Sequence, residues 1–220
     1  MKLKTLAFAL TGPAFTLAQP ALASDDDFEL WFGPSVSTKL DDDTSVELQT
    51  AQRFRDQGNN REDTYYFRGW VHQKVAKNVT LSGSIEERIN DEGADEIRTI
   101  QQLGTKHGVL RTRLRLEERF VEGNGGRMGL RVRPRLGLRV PLGDDSPITA
   151  SVDGELFWTL RATSVTGSTG INGVETRVGF TYDVNDNLTL GLKYLRAQNI
   201  RDNRPDTVSH APLIEIEFTF

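Results

Sequence analysis

From Arg127 to Leu142 the chain alternates strictly. Met128, Leu130, Val132, Pro134, Leu136, Leu138, Val140 and Leu142 fall on one parity. Arg127, Arg131, Arg133, Arg135 and Arg139 fall on the other, with Gly129 and Gly137 between them. Side chains of a β-strand point to opposite faces in turn, so this pattern predicts a strand with one apolar and one basic face. A helix would mix the two sets around its circumference. Leu110, Leu114, Leu116 and Phe120 likewise oppose Arg111, Arg113, Arg115, Glu117 and Arg119. Ile148, Val152, Leu156, Trp158 and Leu160 oppose Asp153, Glu155 and Arg161, and Val174, Val178, Phe180 and Tyr182 oppose Glu175 and Arg177.

Clusters of Gly, Asn and Asp separate these segments. They predict strands near 28–40, 45–55, 64–76, 79–90, 95–106, 109–121, 127–142, 148–163, 173–184, 188–199 and 211–220. A soluble sandwich also alternates. These segments are longer than sandwich strands need to be, and their polar faces are dense in Arg and Glu rather than Ser and Thr. Both features fit a barrel with apolar groups outside and charge inside. The fold class expected is therefore an all-β, antiparallel, up-and-down transmembrane β-barrel of about 10–12 strands. Eleven segments are an awkward count, because bacterial single-chain barrels have an even number of strands, and ten or twelve is the favoured outcome.

The connections alternate in length. Lys77-Asn78, Lys106 to Gly108, Gly143 to Pro147 and Asn185 to Asn187 are short. Gln57 to Asp63, Gly123 to Gly126, Ser164 to Asn172 and Ile200 to His210 are longer and are assigned to the cell exterior. The first residues carry a processing signal: Lys2 and Lys4, an apolar run from Leu6 to Leu17, then Ala21-Leu22-Ala23. The run is too short to span a bilayer as a helix. Residues 1–23 are expected to be a signal peptide cleaved after Ala23, and residues 24–220 the barrel. Cleavage removes two lysines and takes the formal charge from −4 to −6, a balance that argues against nucleic acid as a partner. There is no cysteine, which excludes a disulfide framework and metal–thiolate sites. The expected location is the bacterial outer membrane of a Gram-negative envelope, with membrane lipid and the outer-membrane assembly machinery as partners.

Ile214, Ile216, Phe218 and Phe220 alternate with Glu215, Glu217 and Thr219. An amphipathic last strand ending in Phe218 and Phe220 resembles the segment that outer-membrane assembly machinery engages. Further residues are Phe28-Glu29-Leu30-Trp31, Glu96-Ile97-Arg98, Gln101-Gln102-Leu103, Arg111 to Arg119 and Asp153-Gly154-Glu155-Leu156-Phe157. Their order and spacing resemble the domain of unknown function 2490 family of small outer-membrane β-barrels, over essentially the whole mature chain. The Arg-x-Arg-Leu-x-Leu-Glu-x-Arg strand is the most specific part. The resemblance implies a barrel and supplies no reaction.

The polar parity places Arg98, Arg111, Arg113, Arg115, Glu117, Arg119, Arg131, Arg133, Arg135, Asp153, Glu155, Glu175, Arg177, Glu215 and Glu217 in a lumen charge network, with Arg53, Arg55, Arg68, Arg88, Arg139, Arg161, Glu47 and Glu86 on the same inward face. The lumen of a barrel this narrow is largely filled by side chains, and unpaired charges there are costly, so an ion-paired structural core is expected. The same residues could instead form a narrow passage biased towards anions, since two basic ladders lie side by side in one hairpin. An enzyme is the less favoured class. Its strongest form is a lipid-modifying hydrolase at the extracellular rim with His210 as base. However, Ser209 and His210 are adjacent, and adjacent side chains of a strand point apart. His107 falls in a short turn, and His72 on the polar parity beside Trp70. No catalytic residue, metal-ligand spacing or cofactor motif is expected. Trp158, Tyr182 and Tyr194 are predicted to face outward, Trp31 and Trp70 inward.

Overall fold

The structure, a computed structural model, describes residues 25–55, 63–202 and 205–220. The expected signal segment and its cleavage site lie outside the described residues, as does most of the connection from Gln57 to Asp63. The strands are β1 (Asp25–Lys39), β2 (Thr44–Arg55), β3 (Thr64–Ala76), β4 (Val79–Asn90), β5 (Glu96–His107), β6 (Leu110–Val121), β7 (Gly129–Pro141), β8 (Ile148–Arg161), β9 (Gly170–Asn185), β10 (Leu188–Asn199) and β11 (Thr207–Thr219). Each pairs with its neighbours in chain order, and β1 closes on β11 to complete the barrel.

All eleven predicted segments are strands, so the preferred count of ten or twelve gives way to eleven. The physical consequence is at the seam. Consecutive strands alternate in direction, so the eleventh runs the same way as the first, and β1 pairs with β11 in parallel. The other ladders are antiparallel. Two expected connections also shorten. Thr207 and Val208 pair with Asn199 and Gln198, which draws Ser209 and His210 into β11 rather than the last loop. Gly170 and Ile171 pair with Thr159 and Trp158, which extends β9 into the predicted loop from Ser164 to Asn172.

The alternation sorts as the physics requires. Leu48, Ile85, Leu136 and Leu192 point outward and are 60–67% exposed. Trp158, Tyr182 and Tyr194 also face out, while Trp70 is buried inside. Arg161 departs from its expected inward place. Thr159 pairs with Arg131 and Arg161 with Leu130, so Leu160 is an extra residue against β7. This bulge shifts the parity, and Arg161 turns to the exposed side, where its guanidinium meets Met128 Sδ at 2.8 Å.

At the short-turn end Asp41 closes the first hairpin. Its carboxylate accepts the backbone N–H of Asp43 at 2.9 Å and of Thr44 at 2.6 Å. These bonds, Asp43's first, hold its pKa below the ordinary aspartate value. Deep in the wall, Gly179 sits between Ser151 of β8 and Lys193 of β10. A Cβ there would collide with the Leu192 carbonyl oxygen and lie 2.5 Å from Lys193 Cα. Backbone cannot yield as a side-chain tip can. Gly179→Ala is therefore expected to cost about 3 kcal/mol, the upper end of overpacking penalties. The loss would be read as a lower urea midpoint of the folded band on unheated gels.

Candidate functional site

The lumen is filled by ion pairs that bridge neighbouring strands. Glu29 of β1 receives Arg53 at 3.0 Å and Arg55 at 3.2 Å from β2. Glu86 of β4 pairs with Arg68 of β3 and with Arg98 of β5 at 3.0 Å. Glu96 holds Arg98 at 2.7 Å and also Arg119 of β6. Glu117 of β6 holds Arg131 at 2.6 Å and Arg133 at 2.8 Å on β7. Glu155 of β8 touches Arg113 of β6, Arg133 of β7 at 3.0 Å and Arg177 of β9 at 3.3 Å. Asp153 pairs with Arg135 and with Arg177 at 3.2 Å, and Glu175 with Arg177. Planar guanidinium forks suit this role, because each can bridge carboxylates on both sides.

The structure thus brings together most of the residues that the polar parity selects. Arg111 stands apart: it bonds the carbonyls of Gly108 and Leu110 in the turn. Glu215 pairs with Lys193 of β10, and with Glu217 and Glu47 it lines a cavity of about 170 Å³ at the short-turn end, where the main chamber ends on the same three carboxylates. Three members were missed in the sequence: Glu29, Glu96 and Lys193. Glu29 shares its parity with Trp31, and Glu96 with Arg98, so alternation alone could have found both. The inward face also holds a small apolar cluster, Leu195, Ala211 and Leu213 with Trp31 and Ala197, against the seam.

The ion pairs leave a chamber of about 600 Å³. Its lining runs from Asn172 and Asn199 near the long-connection rim to Glu217 near the other. The charges are layered. Glu29, Glu86, Glu117 and Glu155 are 1% exposed or less and lie outside the lining, while Arg53, Arg68, Arg113, Arg131, Arg133 and Arg177 face the chamber. Strands β6 to β9 place Arg113, Arg115, Arg131, Arg133, Arg135 and Arg177 against Glu117, Asp153, Glu155 and Glu175. Arg139 lines the chamber from the same wall, so seven cations stand against these four anions and positive charge is in excess. Aromatic faces carry part of the load: the Arg133 guanidinium lies 4.1 Å from the Phe157 ring centre and that of Arg53 4.1 Å from Trp31.

His72 has the other arrangement with chemical potential. Its Nδ1 meets Ser82 Oγ at 2.8 Å, its Nε2 meets Glu47 at 3.1 Å, and it stacks on Trp70. A serine, imidazole and carboxylate in line can in principle activate a hydroxyl. Here Ser82 is buried in a regular strand and is not among the residues lining the chamber. The chain of bonds clamps β2, β3 and β4 together. Ser209 and His210 diverge: Ser209 is buried in the lumen wall, and His210 faces outward with Nδ1 against the Tyr194 hydroxyl. Among the described residues no group of His, Asp and Glu could hold a metal ion.

The fold and interior define a class: a closed β-barrel with an apolar outer wall and an ion-paired, basic-lined lumen. The chain belongs to the family described as "Protein of unknown function (DUF2490)", whose model matches residues 28–209. That span covers β2 to β10 whole, β1 from Phe28 onward and the first three residues of β11. A comparison with curated proteins finds no match.

Proposed function

We propose that this protein is a bacterial outer-membrane barrel, exported by a cleaved signal peptide, whose lumen is a narrow passage biased towards anions. The apolar outer wall supports the membrane setting. A twelve-residue strand rises about 40 Å, and at a tilt of about 45° it covers roughly 28 Å, close to the thickness of the hydrocarbon core. The observation that carries the solute preference is the layering of charge. Glu29, Glu86, Glu117 and Glu155 sit in the wall, and twelve arginines face the chamber against four carboxylates, Glu47, Glu175, Glu215 and Glu217, so a solute in the lumen meets positive potential along most of its path. The hydrolase reading gains nothing from Ser209 and His210, which lie on opposite faces of β11.

Refolded protein in planar bilayers tests this. Small discrete conductance steps are expected, with a reversal potential in a KCl gradient that favours chloride. The preference should weaken from 0.1 M to 1 M salt, as the Debye length falls from about 10 Å to about 3 Å. Cation preference would contradict the reading. Absence of any step would leave the barrel a structural element of the envelope.

A further inference from the structure

We propose that the chamber contains a binding site for a dianionic phosphate group, with Arg115 at its centre and Arg113 and Arg133 beside it. The inference deepens the reading of the lumen as an anion passage and rests on it.

Arg115 is only 6% exposed, yet its hydrogen bonds go to a neutral acceptor, Gln102 Oε1, at 3.2 and 2.9 Å. Its other close support is the Trp70 face, 5.1 Å from the guanidinium carbon. The charged groups around it are mostly of its own sign: Arg113, Arg133 and Arg68, with the carboxylates Glu117 and Glu155 beyond ion-pair contact. Arg115 also stands directly across the β6–β7 ladder from Arg133, and Arg113 across from Arg135. Like charges directly opposite each other repel, and a buried cation without an anion is costly. The neighbouring arginines offset that cost with wall carboxylates. Arg115 does not.

Two further observations point to a ligand. The Nε of Arg113 is buried without a hydrogen-bond partner. Arg113, Arg115 and Arg133 all line the chamber, on the wall where positive charge is in excess. A phosphate dianion brings two charges and several acceptor oxygens to these guanidiniums, where a chloride ion brings one charge. Its oxygens match guanidinium forks, which donate pairs of parallel N–H bonds. The chamber volume admits free phosphate or the phosphate of a small monoester, and the chemistry is the same for both.

The test is equilibrium dialysis of the refolded full chain in detergent micelles against radiolabelled inorganic phosphate. Saturable binding is expected, and Arg115→Gln should weaken it by roughly tenfold or more. Because Arg115 is buried, a second variant separates folding from binding. Gln102→Glu gives Arg115 a carboxylate in place, so it should abolish phosphate binding while the barrel keeps its folded gel mobility. No binding by the wild type, or equal binding by folded Gln102→Glu, overturns the site. Competition by glycerol phosphate distinguishes the sources: a stronger competitor than inorganic phosphate indicates an ester, a weaker one the free ion. Chloride preference measured on the same preparation keeps the two readings apart. Preference without phosphate binding removes the site and leaves the passage; binding without conductance does the reverse.

Discussion

Glu155→Gln is expected to destabilise the barrel by about 3–5 kcal/mol, the cost of removing one partner from a buried ion pair. The substitution keeps the shape of the side chain and removes only its charge. Glu155 is 1% exposed and touches arginines of three strands, β6, β7 and β9. Arg133 would retain Glu117, and Arg177 would retain Asp153 and Glu175. Arg113 has its ion pair with Glu155, so it bears the largest share of the loss. Adding Arg113→Met in the Glu155→Gln background should therefore recover part of the stability, a coupling that a double-mutant cycle measures. Urea unfolding of the refolded protein in lipid vesicles gives the numbers. Glu217→Gln is the control: Glu217 is exposed at the mouth of the short-turn cavity, and its effect should stay within about 0.5 kcal/mol. A loss below about 1 kcal/mol for Glu155→Gln would mean that water screens the network.

The outer wall and the strand boundaries are legible in the sequence because they depend on a local rule. Leu136 and Arg135 must point opposite ways whatever the rest of the chain does. The lumen is legible only as a list. Parity says that Arg113, Arg115, Glu117 and Glu155 face inward, but not that Arg113 reaches two strands away to Glu155 while Arg115 is left with Gln102. Those choices depend on barrel diameter and stagger, which emerge only on closure. Local irregularity hides the rest. The extra residue at Leu160 cannot be told from regular alternation, and it sends Arg161 outside. His72, Ser82 and Glu47 lie on three strands, and their alignment depends on the register of two ladders. The strand count shows the limit of general rules: each of the eleven segments reads as a strand, and only the preference for even numbers argued against them.

An epitope tag placed just before Asp25 and another after Phe220 are expected to lie on opposite sides of the membrane. Asp25 pairs with Thr207, beside the longer connections, and Phe220 donates its N–H to Ser37 at the short-turn end. With the longer connections outside, antibody should reach the first tag on intact cells and the second only after permeabilisation. In an even-stranded barrel both tags would lie on one side, so the measurement is all or none. The seam it tests is the parallel ladder among the described strands. Parallel pairing is slightly weaker per residue, and Pro34 and Pro212 each remove a donor from the strands that form it. Side chains offset this. Glu29 ties β1 to β2 through Arg53 and Arg55, and Trp31 packs on Leu213, Ala211 and Leu195 of β11 and β10. Thr38 donates to the Phe220 carbonyl at 3.2 Å, and Ser37 and Thr219 share a hydroxyl bond of the same length. Both tags on the inner side would mean that β1 is not inserted in the wall beside β11. Glu29 would then no longer be held between Arg53 and Arg55.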